Sequence, residues 1–210
     1  MAVQVVSIKP PKIDVATFKI IGTAPLVVHR FSAKAKQGML DKMEAGSTAQ
    51  KDNRKKRDPV NTDDVFNDAR YISDEGWDGF NASAIRSALI SACRLVGFKM
   101  TLAKMSIFEV PDGRDAKEPE IALIRIYGKP RKLEMIGRVE TGQAYVTVRP
   151  IYDNWYSIVK VKYDSDMFTL SDVSNLLNRV GVQVGLCEGR PDSKNSAGMG
   201  WGTFEVEVKK

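Results

Sequence analysis

Two stretches of this chain repeat their apolar residues with the period of a helix, and the remaining apolar stretches are short or alternate. That narrows the fold to helices laid on a sheet. The first stretch, "GFNASAIRSALISACRLVG", puts Ala82, Ile85, Ala88, Leu89, Ala92, Leu95 and Val96 on one stripe, with Asn81 near the N-cap and Gly97 as the stop. Arg86 and Arg94 fall off that stripe. The second, "TLSDVSNLLNRVG", does the same with Val173, Leu176, Leu177 and Val180, capped by Thr169 or Ser171 and ended by Gly181.

Strand-like segments surround the helices. "IDVATFKIIGTAPLVVHRF" reads as a first strand over about 15–29, bent at Gly22 and Pro25. "SIFEV" (106–110), "IALIRIYG" (121–128), "AYVTVRPIYD" (144–153), "WYSIVKVKYD" (155–164), a short "VQVG" and a final "TFEVEV" follow, separated by turns at Gly113, Gly128-Lys-Pro130 and Asp153-Asn154. This order predicts an α+β fold with a ferredoxin-like, RRM-like βαββαβ core, its antiparallel sheet carrying both helices on one face. A chain of 210 residues suffices for one core, so 1–210 is expected to be a single domain.

Charge marks out what lies between the first strand and the first long helix. Lys34 to Arg57 holds eight Lys/Arg against three acids, and Asp58 to Asp78 holds seven acids against Arg70 alone. Residues 32–70 also lack a sustained apolar face, apart from a short helix expected at "SAKAKQGMLDKM". The segment 32–78 is therefore expected to be a charged, partly mobile insertion, self-complementary between copies. A second basic cluster comprises Arg125, Lys129, Arg131, Lys132 and Arg138, interrupted by Glu134 only.

No apolar run approaches a membrane-spanning length, and "MAVQVVSIKPPKIDV" has no basic-then-apolar leader pattern, so a cytoplasmic location is expected. Cys93 and Cys187 are far apart and expected to be free, with Cys93 in the core. With one histidine and no Cys-x-x-Cys pair, neither a metal site nor another cofactor is expected.

The chain ends on "GVQVGLCEGRPDSKNSAGMGWGTFEVEV", in which Gly181 to Gly202 contains six of the 16 glycines. Glycine permits positive φ and close backbone approach, so such a loop, with Arg190, Ser193, Lys194 and Ser196, can wrap a phosphodiester backbone with its N–H groups. It can equally be a connection whose glycines serve only its turns. A dinucleotide-binding reading fails, since the loop leads into a strand and not a helix.

Taken together, "IGTAPLVVHRF", "GFNASAIRSALISACR" and "GRPDSKNSAGMGWGTFEV" resemble, in that order, segments of the RAMP superfamily of CRISPR RNA-binding proteins, most closely its effector backbone subunits. The resemblance rests on the Pro-Leu step of the first strand, the opening of the first long helix, and above all Gly198-Met199-Gly200-Trp201-Gly202-Thr203-Phe204. At the helix opening the family's Pro-Gly is absent, and Ser83 and Arg86 stand where its Ser and basic residue stand. A weaker similarity is to small proteins of tailed phages.

The resemblance implies sequence-independent binding of single-stranded nucleic acid, RNA ahead of DNA, by copies assembled side by side along the strand, with other effector subunits as further partners. It implies a thumb-like role for the insertion. The binding residues it suggests are His29, Arg30, Lys34, Lys36, Lys51, Arg54, Lys55, Lys56, Arg57, Ser83, Arg86, Arg190, Lys194, Gly198, Gly200 and Trp201. Basic side chains of this kind supply salt-sensitive phosphate contacts. Tyr127, Tyr145, Trp155 and Tyr156 lie beside basic residues and would stack bases if exposed. No catalytic step is required. One alternative is a metal-independent endoribonuclease with His29 as base and Arg30 or a lysine holding the developing charge. Another is a phage structural or host-takeover protein that uses the fold for protein contacts alone.

Overall fold

The computed structural model describes residues 8–45, 61–138, 144–193 and 198–207. In chain order the elements are β1 (Ile13–Gly22), β2 (Leu26–Val27), α1 (Ala33–Ala45), α2 (Thr62–Asp68), β3 (Tyr71–Ile72), β4 (Asp78–Asn81), α3 (Ser83–Leu95) and α4 (Met100–Ser106). They continue with β5 (Ile107–Val110), β6 (Gly113–Arg114), β7 (Ala122–Arg125), β8 (Arg131–Arg138), β9 (Ala144–Tyr152), β10 (Tyr156–Asp164), α5 (Leu170–Arg179) and β11 (Phe204–Glu207). The result is an α+β fold built on antiparallel sheets.

The main sheet has the order β11-β1-β10-β5, every neighbour antiparallel. Its register follows from period-two alternation. Ala16 and Ile20 on β1, and Ser157, Val159, Val161 and Tyr163 on β10, point into the core, where they meet Ile85, Leu89 and Ala92 of α3 and Val173 and Leu177 of α5. The opposite face carries Val15, Thr17 and Lys19 of β1 and Tyr156, Lys160 and Lys162 of β10, all exposed or half-exposed. Two smaller sheets flank this one, β2-β9-β8 and β3-β4-β7-β6. One apolar cluster runs beneath the helices from Ile20 to Phe204.

Both long helices form where their apolar period places them. α5 opens with a capping box: the Thr169 hydroxyl oxygen accepts from the Asp172 N–H, and the Asp172 carboxylate accepts from the Thr169 N–H. At α3 the Asn81 side-chain oxygen accepts from the Ser83 N–H and hydroxyl, and Cys93 is buried and free as expected.

Four local expectations are revised. The first strand is not continuous: after Gly22 the chain leaves the main sheet, and Leu26–Val27 pair instead with β9. "VQVG" is not a strand, because α5 widens into a π-helical turn over Val180–Val184 that ends at Gly185, whose φ is 71°. Leu95 and Val96 are exposed rather than buried; Val96 joins Phe98, Met167 and Val182 around an open groove of about 780 Å³. The acidic part of the insertion is built into the domain, with Asp63 on Lys132 (2.7 Å), Asp68 on Lys117 (2.8 Å) and Asp78 holding Arg70 through two 2.8 Å bonds. Those three carboxylates are paired within their own chain. The expected helix at 32–43 appears as α1, and residues 46–60 lie outside the described residues.

No described helix is long and apolar enough to cross a membrane.

Candidate nucleic-acid interface

The outward face of the main sheet gathers rings and cations that sequence reading had scattered. Alternation along "YSIVKVKYD" turns Val159, Val161 and Tyr163 inward and leaves Lys160 and Lys162 outward. The register then sets Lys162 opposite Phe108 and Lys19 opposite Ile158.

Two runs reach this face, one from the flanking β3-β4-β7-β6 sheet and one at the β5 edge. In one, the Arg125 guanidinium lies 5.8 Å from the Trp77 ring centre and 4.8 Å from that of Tyr127. The Tyr127 and Tyr156 rings then stack at 4.5 Å and 4°, and Lys19 Nζ sits 5.4 Å over Tyr156. Reciprocal backbone hydrogen bonds between Tyr127 and Tyr156, 2.9 and 3.1 Å, hold the two rings in register. In the other run, Arg86 at 4.8 Å and Lys162 at 5.5 Å both lie over Phe108. Lys19 is paired with Glu207 (2.9 Å) and Lys160 with Asp112 (3.3 Å), whereas Arg125 and Lys162 have no ion-pair partner among the described residues. Tyr156 is exposed and Trp77, Tyr127 and Phe108 are half-buried; surface rings beside unpaired cations are what a stacked, negatively charged polymer requires.

The residues suggested by sequence fall in several places. Arg30 is turned inward: its side chain is 2% exposed, with Nε 3.4 Å from Asp115 and Nη2 3.3 Å from Glu118. In that position it supports the fold and cannot reach a phosphate. Lys36 donates to Glu118 at 2.7 Å. Arg86 donates to the carbonyls of Ile107 (3.0 Å) and Lys104 (2.5 Å) at the β5 edge, which sets its guanidinium against Phe108. Ser83 is held by Asn81. The side chain of Lys34, and all of Lys51, Arg54, Lys55, Lys56, Arg57 and Lys194, lie outside the described residues.

The glycine loop folds upon itself. Gly189, Gly198, Gly200 and Gly202 all have positive φ, and a Cβ at Gly198 or Gly202 would overlap the backbone of Arg190 or Leu186. The N–H groups of Leu186, Glu188, Met199, Trp201 and Gly202 already donate to Gly202, Val27, Gly189, Gly189 and Pro25. Three of those groups close the loop on itself and two, from Glu188 and Gly202, dock it onto Val27 and Pro25, so the expected N–H cradle for a phosphodiester is not formed by them; the close approach is to the loop's own chain. Trp201 covers Gly189, and Arg190 donates to the Cys187 carbonyl at 3.2 Å. Cys187 is itself left-handed (φ 62°), and burial pushes its thiol up to about 12, so it stays protonated at neutral pH.

His29 emerges beside this loop. Its Nδ1 lies 3.5 Å from Glu188, which also binds Arg149 Nε at 2.8 Å, and its ring stacks on Phe31 at 5.3 Å. Partial burial, followed by the Arg149 charge, lowers its pKa below the ordinary 6.5, against the opposing pull of Glu188. A neutral imidazole oriented by a carboxylate has the form of a general base.

Sequence reasoning missed Lys19, Trp77, Phe108, Lys160 and Lys162. The alternation of β10 carried a signal for its two lysines; Trp77 and Phe108 depend on pairings that no local pattern announces. No family model matches the chain, and no curated protein matches it.

Proposed function

We propose that this protein binds single-stranded nucleic acid without sequence preference, across the outward face of the main sheet. The observation that carries the reading is the pair of ring-and-cation runs, Trp77-Arg125-Tyr127-Tyr156-Lys19 leading from the flanking β3-β4-β7-β6 sheet onto that face and Arg86-Phe108-Lys162 at its β5 edge, with Arg125 and Lys162 unpaired among the described residues. Rings accept any base by stacking, and cations accept any phosphate, so the expected specificity is for the single-stranded state. The strand order β11-β1-β10-β5, with α3 and α5 in the two crossovers, supports reading the core as ferredoxin-like. Preference for RNA and assembly of copies along the strand rest on the resemblance to RAMP backbone subunits.

Ultraviolet crosslinking to single-stranded RNA, followed by peptide mapping, tests the placement. Crosslinks at the peptides holding Phe108 and Tyr156 are expected; crosslinks confined to 34–57 would move the interface to the insertion. The His29–Glu188 pair favours a second reading, an endoribonuclease, in which bound RNA is cut and His29→Ala leaves it bound and intact.

A further inference from the structure

At the Tyr156 end of the first run the sheet opens into a recess of about 380 Å³, lined by Lys19, Gly22, Tyr127, Asn154, Trp155 and Tyr156. That volume lies near the lower end of the roughly 300–1,000 Å³ typical of small-ligand pockets, enough for a nucleotide-sized group. Its aromatic walls are fixed. A Cβ at Gly22 would overlap the Trp155 indole, so glycine there lets the indole lie against the end of β1, where its N–H donates to the Ala24 carbonyl at 2.9 Å. Tyr127 is flush against Tyr156 at 4.5 Å, which leaves no room for an ammonium between the rings. Lys19 therefore occupies the remaining face of Tyr156, where Glu207 holds it at 2.9 Å. Both partners of that pair are well exposed, at 37% and 41%, and a surface pair of this kind is weak and readily exchanged. Asn154, exposed at the rim, presents an amide able to meet the polar edge of a base.

We infer that this recess takes one nucleotide of the bound strand, its base displacing the Lys19 ammonium from the face of Tyr156 that Tyr127 leaves open and its phosphate pairing with that ammonium, and that the Glu207 carboxylate occupies the phosphate's place when the recess is empty. The inference rests on the nucleic-acid reading above and adds a single-nucleotide subsite with a built-in competitor. It makes an unusual directional demand: removing the negative charge of Glu207 must strengthen binding, because the ligand then displaces nothing.

The test uses the full chain and short single-stranded oligonucleotides carrying 2-aminopurine at successive positions. Wild-type protein is expected to quench one position more deeply than its neighbours. Tyr156→Leu restores that fluorescence and weakens binding about tenfold to a hundredfold, while Tyr156→Phe keeps both. Glu207→Gln tightens binding severalfold, and Lys162→Ala weakens it without restoring the fluorescence. Circular dichroism melts establish that each variant is folded; should Tyr156→Leu not fold, Glu207→Gln still decides. Binding with uniform quenching at all positions, or a Glu207→Gln variant that binds no better than wild type, overturns the recess while leaving the sheet-face reading intact. Failure of wild-type protein to bind any oligonucleotide at low salt overturns that reading and the recess with it.

Discussion

At the scale of single residues, backbone conformation and neighbours decide which glycines are indispensable. Gly200 and Gly202 share a left-handed backbone (φ 74° and 68°), yet a Cβ at Gly200 meets nothing within 4 Å while one at Gly202 overlaps Leu186. Gly200→Ala is therefore expected to cost about 1–2 kcal/mol, the backbone alone. Gly202→Ala adds a clash with backbone that cannot step aside, and the loss should exceed about 4 kcal/mol. Denaturant midpoints of the two variants check this, and equal losses would contradict it.

His29 gives a pH dependence with a definite sign. Its folded pKa is lowered, so the unfolded chain binds the proton more readily. The stability linked to this site is complete above the unfolded value of 6.5 and is lost as pH falls from there toward the folded value. Urea unfolding between pH 7.5 and pH 5 should show this decline, and His29→Gln should make it shallower. An unchanged pH slope in the variant would place the proton uptake elsewhere.

Among the elements, α5 offers the simplest check. Its capping box satisfies end groups that would otherwise lack partners, so Thr169→Ala should cost about 1 kcal/mol and lower Tm by roughly 2–4 °C in a calorimetric scan. This element was legible in the sequence because cap, apolar period and length agreed. So were α3, the buried run of β10 and the last strand, each announced by a local period. What was not legible depends on partners far away in the chain. β2 leaves the main sheet because β9 is there to pair with it, and "VQVG" becomes a π-helical turn because Gly181 must pass against Phe204. β8 was read only as a basic cluster, since its eight residues become a strand by pairing with β9. The candidate site divides the same way. The lysines of β10 follow from alternation, whereas the stacking of Tyr127 on Tyr156 joins segments 29 residues apart in sequence, and the inward turn of Arg30 needs Asp115 and Glu118.

Across the whole molecule, the net charge of +6 is less informative than where unpaired cations lie. Many basic side chains are committed to carboxylates of the same chain: Arg70, Lys117, Arg131 and Arg149 each hold one, and Lys132 holds two. Arg125 on β7 and Lys162 on the outward face of β10 have no ion-pair partner among the described residues and lie beside aromatic rings. Binding there should combine a stacking part that salt barely touches with a phosphate part that salt weakens. Side-by-side assembly would add steps as the strand lengthens, each step one footprint.

Fluorescence anisotropy with labelled single-stranded RNA and DNA of several lengths, titrated at low and high salt, tests this most directly. The account predicts binding to both polymers that weakens as salt rises, strengthens in steps with length, and falls sharply in Phe108→Ala/Lys162→Ala protein. Salt-independent absence of binding to either polymer, or full binding by that double variant, would contradict it.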